Sequence, residues 1–193
     1  MHSPDGKIIV AGFFTWYNGK KAQGILRLLN DGSFDPSFNT YAGATKGITG
    51  NHIQKIVIQP DNKIIIGGFF SRFNDESRNN IARLTSSGTL DATFIPGTGF
   101  APVFVTGTNY STEPIGMIRD MILENADPSN LKLYISGSFT SFNNSAQRRV
   151  IRLHCILTPG SKDTGFSMGG NGNSTYGPNN HVWSFKHQQC FIN

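Results

Sequence analysis

Apolar and polar positions follow one pattern along this chain, and the chain writes it three times. Residues 7–28 (KIIVAGFFTWYNGKKAQGILRL), 63–84 (KIIIGGFFSRFNDESRNNIARL) and 132–153 (KLYISGSFTSFNNSAQRRVIRL) have equal length and the same punctuation. Each runs from an apolar stretch through a glycine, an aromatic and a polar turn to a branched aliphatic, then x-Arg-Leu. The opening runs are apolar at nearly every position, which predicts strands buried on both faces. Pro4-Asp5-Gly6 and Pro60-Asp61-Asn62 precede two of them and read as tight turns, since Asp, Asn and Gly tolerate positive φ. Asn18-Gly19 marks the next turn. Residues 25–28 form a third strand, with Arg27 among apolar neighbours. Ile53, Ile56 and Ile58 predict a further strand over residues 52–59.

The spacing is regular. Arg27 to Arg83, Asp35 to Asp91 and Phe38 to Phe94 are each 56 positions apart, and Arg83 to Arg152 is 69. The additional residues fall in connections, as expected of stacked supersecondary units. The chain therefore reads as one all-β domain over residues 1–193, with three tandem repeats of about 56 residues. Repeat 1 covers about 4–59, repeat 2 about 60–123 and repeat 3 about 124–181, followed by a C-terminal strand at 182–190. Gly12, Gly68 and Gly137 recur where a strand would ordinarily exclude glycine. They predict a bulge or a close backbone approach.

Pro-Asp-Gly-Lys-Ile, the mid-strand Gly, aromatic-Asn-Gly, Ile-x-Arg-Leu and Asp-x-x-Phe together resemble the delta-60 repeat family, described as β-propeller-like. The resemblance spans Pro4 to about Phe185. It is dense in the first two copies and looser in the third, where Ser136-Gly137-Ser138 replaces Gly67-Gly68-Phe69. It implies propeller-type blades, found in large secreted, surface or phage-encoded proteins, and no catalytic residues. His181-Val182-Trp183-Ser184-Phe185-Lys186-His187 aligns with the 52–59 strand and offers to complete the first blade. Propellers usually have about four to eight blades. Three copies leave three readings: part of a longer array, two chains sharing a six-bladed ring, or a β-trefoil-like three-fold barrel.

At 193 residues and 21.1 kDa the chain supports one sizeable core. Low charge, many glycines and abundant Phe agree with an all-β class. No apolar run reaches membrane-spanning length, so no membrane insertion is expected. The start carries no basic-then-apolar leader, which fits an excised piece or a protein exported or assembled without one. The net charge of +5 raises nucleic acid as a partner. The basic residues are scattered, however, and only Lys20-Lys21 and Arg148-Arg149 are paired, so no nucleic acid is expected. Cys155 and Cys190 fit either a disulfide or two free thiols.

Arg27, Arg83 and Arg152 recur with Asp35, Asp91 and Asp163. One active site needs one set, so a residue present in every repeat predicts a structural ion pair within each. Asp31-Gly32 reads as a turn rather than a calcium loop, which needs six to eight oxygens. The histidines are dispersed without metal spacing, and no nucleophile or phosphate-loop motif occurs. Paired carboxylates for glycoside hydrolysis have little raw material in 12 acidic residues. No catalytic residue, metal or cofactor is expected.

Binding candidates lie where the repeat breaks. Residues 99–110, with Phe100, Phe104 and Tyr110, are an apolar-aromatic insertion that predicts either a partner patch or a packed edge strand. Residues 169–177 form a Gly/Asn loop suited to contacts or to linking. Trp16 and Tyr17 are candidate glycan-stacking residues. The expected function is a non-catalytic structural or interaction module, on an extracellular surface or in a virus particle (phage tail or capsid-associated). Its partners are proteins or further copies of itself. A glycan-binding, lectin-like domain is the alternative, and a carbohydrate-active hydrolase the third reading.

Overall fold

The computed structural model describes residues 5–38, 43–45, 52–100, 116–124, 126–166 and 184. Repeat 1 contributes β1 (Ile8–Ala11), the hairpin β2 (Trp16–Tyr17) and β3 (Lys20–Lys21), and β4 (Ile25–Leu28). A short β5 (Ala44–Thr45) follows. Repeat 2 takes in β6 (His52–Ile58), from the end of the stretch assigned to repeat 1 by sequence, and holds β7 (Ile64–Phe69), β8 (Arg72–Phe73), β9 (Glu76–Ser77) and β10 (Ile81–Leu84). Repeat 3 likewise takes in β11 (Ile118–Glu124), and holds β12 (Lys132–Gly137), β13 (Ser141–Phe142), β14 (Ser145–Ala146) and β15 (Val150–His154). Each of these structural repeats thus begins one strand earlier than the sequence bounds. No helix occurs among the described residues.

Each repeat builds its own antiparallel sheet, ordered β4-β1, β6-β7-β10 and β11-β12-β15. Separate sheets stacked side by side are the layout of blades, not of staves in a common three-fold barrel. Small hairpins cap the sheets. Their turns, Asn18-Gly19, Asn74-Asp75 and Asn143-Asn144, have positive φ at both central residues. That is the type I′ conformation whose twist matches a two-residue β-hairpin. The β5 strand, which pairs with β8, had no signal in the sequence pattern.

The core lies between consecutive sheets. Ile9, Ile25, Phe38, Ile53, Ile64, Ile66, Phe70 and Phe73 pack between repeats 1 and 2. Ile65, Phe94, Phe100, Ile118, Leu133, Ile135 and Phe139 pack between repeats 2 and 3. Ile64, Ile65 and Ile66 are therefore buried on both faces of β7, as their unbroken apolar run predicts. In β1 the same run behaves differently, and only Ile9 is buried.

The recurrent glycine has a direct cause in two repeats. β6 and β11 each shift register opposite it, between Ile53 and Lys55 and between Ile118 and Asp120. The bulge drives that strand's backbone onto the glycine. A Cβ on Gly68 would collide with the carbonyl oxygen of His52, and one on Gly137 with that of Met117. At Gly12 the nearest atoms of described residues belong to the Phe14 ring, 3.7 Å away.

One expectation is corrected here. Phe100, read as a binding candidate, is fully buried, with its ring 4.5 Å from that of Phe139 and 4.9 Å from that of Phe142. An aromatic that locks the seam between two sheets presents nothing to a partner. Phe104 and Tyr110 of the same insertion, the 169–177 loop and Cys190 lie outside the described residues. Cys155 is a free, buried thiol.

Candidate functional site

Alternation along β4, β10 and β15 turns one side chain per strand toward the next repeat, and at that place each strand carries arginine. Arg27 stands opposite Ile9, Arg83 opposite Ile65 and Arg152 opposite Tyr134. A guanidinium in a sheet-to-sheet seam must find partners for all its N–H groups. The return loop after the strand supplies them. Arg27 Nε donates to Asp35 Oδ2 at 2.8 Å, Arg83 Nε to Asp91 Oδ2 at 2.9 Å and Arg152 Nε to Asp163 Oδ2 at 2.9 Å. Nη2 of Arg27 donates to the Ser37 hydroxyl at 3.1 Å, and that of Arg83 to the Thr93 hydroxyl at 3.0 Å. Each hydroxyl in turn donates a hydrogen bond to the aspartate's other oxygen, at 2.6 Å in both repeats.

Two further groups close the cluster. The lysine opening each copy, Lys7, Lys63 or Lys132, reaches the same aspartate oxygen at 3.1, 3.5 and 3.0 Å. Beneath the guanidinium lies the aromatic of Asp-x-x-Phe: Phe38 at 4.8 Å, Phe94 at 5.1 Å and Phe166 at 5.0 Å from centroid to Cζ. Such stacking contributes about 0.5–2 kcal/mol. Burial pushes the Asp35, Asp91 and Asp163 carboxyls up. Hydrogen bonds from the residue two positions on, with the neighbouring cations, outweigh it and hold all three below the usual carboxylate range.

The remaining nitrogen, Nη1, leaves the repeat. Arg27 Nη1 donates to the Ser86 carbonyl in repeat 2. Arg83 Nη1 donates to the Cys155 carbonyl in repeat 3 at 2.7 Å, with Gln59 Oε1 also at 3.4 Å. Ser86 and Cys155 hold equivalent places, each three residues past the arginine of its own repeat. The clusters of Arg27 and Arg83 thus tie a repeat to its own return loop and to the next repeat. In repeat 3 the Nη1 of Arg152 turns instead to the Tyr134 hydroxyl at 3.0 Å, which in turn donates to Glu124 Oε2 at 3.0 Å.

The arginine–aspartate pairing was legible from recurrence. The lysine, the hydroxyl relay and the stacked Phe also recur, so their signal was present although the pairing was not read from it. A further recurrent position was hidden, because Gly24, Asn80 and Arg149 share a left-handed conformation with no common residue type. Asn80 exploits it by accepting from the Phe70 amide and donating to the Phe100 and Gly116 carbonyls.

The surface candidates divide. Trp16 is 62 % exposed on the β2–β3 hairpin, and Phe13, three positions earlier in the chain, is 75 % exposed with its ring edge-on to His52. Tyr17 is half-buried and its hydroxyl donates to the Gly32 carbonyl at 3.4 Å, which makes it partly a packing residue. No cluster of His, Cys, Asp and Glu with metal-binding geometry occurs among the described residues. Asp31 accepts from the Ser33 amide and hydroxyl within its own turn.

All-β sheets repeated side by side, each closed by one charged cluster, define a β-propeller-type repeat protein. The family model described as a domain of unknown function (DUF5122) beta-propeller matches residues 3–38 and 59–94, each running from a tight turn to the aromatic of Asp-x-x-Phe. The first two copies thus carry the match. No curated protein and no solved structure matches the chain.

Proposed function

We propose that this chain is a non-catalytic structural and interaction module, whose sheets exist to present a rigid, repeated edge to protein partners or further copies of itself. The observation that carries this reading is how the charged groups are used. Arg27, Arg83, Asp35 and Asp91 direct their polar atoms to return loops and to the next repeat, not into a cleft. Perturbed carboxylates often mark catalysis, but they also mark structural ion-pair networks, and a threefold repetition of one arrangement belongs to the second class. The resemblance to repeats of surface and phage proteins supports a place on an extracellular surface or in a virus particle.

The test joins native mass to an activity screen. The intact chain is sized at micromolar concentration and incubated with a panel of chromogenic glycosides. An assembly larger than the monomer, without turnover, is expected. Turnover that disappears in Asp91→Asn while Asp35→Asn retains it would overturn the reading, because it would single out one cluster as chemically special.

A second reading has one observation in its favour, the exposure of Phe13 and of Trp16. Flat exposed aromatics stack on sugar rings. On this reading Trp16→Ala abolishes retention on a glycan array while leaving the melting temperature unchanged. If the intact chain is retained by no glycan, the reading fails.

A further inference from the structure

The return loop of repeat 3 departs from the other two. Eight positions separate Arg27 from Asp35 and Arg83 from Asp91, but eleven separate Arg152 from Asp163. The shorter loops are polar at their tips, Asn30-Asp31-Gly32 and Ser86-Ser87-Gly88, whereas the longer one carries Ile156-Leu157-Thr158-Pro159. Its additional length does not enter the core: Ile156 is exposed, and Leu157 is 72 % exposed. Cys155 before them still gives its carbonyl to Arg83, and Asp163 after them still accepts from Arg152. The seam and the charged cluster therefore have no need of the two aliphatic side chains.

Repeat 2 meets this loop with a third exposed aliphatic. The Ile95 amide donates to the Pro159 carbonyl at 2.8 Å, and Gly160 packs so closely on the backbone of Ile95 and Pro96 that a Cβ there would collide with it. The Ile95 side chain nevertheless stays in solvent, 69 % exposed. Five large apolar residues are exposed among those described, and three of the five, Ile95, Ile156 and Leu157, lie on the two loops of this junction. Exposed apolar residues scattered singly need no explanation, but a group of them marks a contact surface.

A cavity of about 280 Å³ lies at the junction. Ile95 and Pro96 of repeat 2 wall it, together with Phe142 and Ser145 of the β13–β14 hairpin and Gly160 and Lys162 of the longer loop. Sites for whole small molecules usually span about 300–1,000 Å³, so this one suits a single anchoring side chain. Phe142, the one aromatic residue of the lining, is buried and offers no ring face to a sugar. Lys162 is the one charged residue of the lining. It is exposed and forms no ion pair among the described residues, because the neighbouring Asp163 is taken by Arg152 and Lys132.

We propose that this junction is the docking site for a peptide segment of a partner protein. The segment seats an aliphatic side chain in the cavity beside Ile95, covers Ile156 and Leu157, and offers a carboxylate to Lys162. The inference rests on the reading of the chain as an interaction module and gives that module a partner chemistry. Aliphatic burial supplies the affinity, and the lone cation selects acidic segments over basic ones.

Selection of a random displayed-peptide library on the intact chain tests this. Enrichment of peptides that combine Leu, Ile, Val or Met with a nearby Asp or Glu is expected. Ile95→Ser and Leu157→Ser should each weaken the best of them about tenfold, as the loss of an anchor does, with the melting temperature unchanged. On Lys162→Glu the preference should turn from acidic to basic peptides, which a merely structural lysine would not cause. Enriched peptides whose affinity ignores all three substitutions would overturn the site and leave the interaction reading standing. A library that yields nothing would overturn the peptide as occupant, and the interaction reading would then rest on native mass alone. If Leu157→Ser converts an assembled chain to a monomer, the junction belongs to a second copy and the proposal fails.

Discussion

Repeats 2 and 3 hold the same arginine in different company. Arg83 is 2 % exposed, and its Nη1 reaches across the seam to the Cys155 carbonyl. The Arg152 side chain is 21 % exposed, and its Nη1 stays within repeat 3, on the Tyr134 hydroxyl. The aspartate contact is the same length in both, 2.9 Å. The difference lies in what flanks it. Ile65 opposite Arg83 becomes Tyr134 opposite Arg152, and Thr93 becomes Gly165, which offers the aspartate only its amide. The ion pair closes each repeat upon its own loop, while the outward nitrogen ties one repeat to another. Where the described residues offer no following repeat, a tyrosine takes over that nitrogen.

Arg83→Ala should therefore cause the largest loss. It leaves Asp91 buried without its main partner and removes the link to repeat 3, so a cost of about 3–5 kcal/mol is expected. Thermal or urea unfolding measures it. Arg83→Lys should recover little of this, because an ammonium cannot serve Asp91, Thr93 and the Cys155 carbonyl from one planar fork. Arg152→Ala, in a wetter cluster without an inter-repeat bond, should cost about 1–2 kcal/mol. Equal losses at the two positions would sink the distinction between closing a repeat and joining repeats.

Acid should weaken the clusters, together with the Asp31 and Asp127 turns, whose carboxyls are lowered by hydrogen bonds from Ser33 and Ser129. Asp35, Asp91 and Asp163 are held below their usual values in the folded chain, so the unfolded chain binds protons more readily. Their contribution is full above the unfolded value near 3.8. It is lost as pH falls through the lower folded values. Stability should thus be flat with respect to these groups above about pH 5 and should decline steeply below about pH 4. Asp91→Asn should flatten part of that decline while lowering stability at neutral pH. An acid limb unchanged in Asp91→Asn would show that other carboxyls set it.

Much of this was written in the sequence because it recurs. The period fixed where strands and turns lie, and the paired Arg and Asp announced a per-repeat task. Residues outside the period were harder to read. Phe100 sits in an insertion peculiar to one connection, and only the packing of Phe139 and Phe142 makes it core. β5 pairs with β8 across a distance no local pattern encodes. The left-handed position of Gly24, Asn80 and Arg149 escaped because the backbone repeats there while the residue type does not. Solvent exposure was the least legible property: Trp16 is open and Tyr17 half-closed, although they are neighbours in one short strand.

The smallest expected effect isolates the tyrosine that distinguishes repeat 3. Tyr134→Phe keeps the ring, which stands edge-on to Phe166 at 5.4 Å, and removes only the hydroxyl between Arg152 and Glu124. Arg152 keeps Asp163, and its freed Nη1 lies in a half-open site where water can replace the lost acceptor. A loss of about 0.5–1.5 kcal/mol follows from one net hydrogen bond. Tyr134→Ile, which restores the residue found in repeat 2, should lose more, because it also removes the ring packed against Phe166. If Tyr134→Ile instead matched or exceeded the stability of the intact chain, the tyrosine would not be serving as the substitute for a following repeat. Its hydroxyl would then be incidental to how the last described sheet is closed.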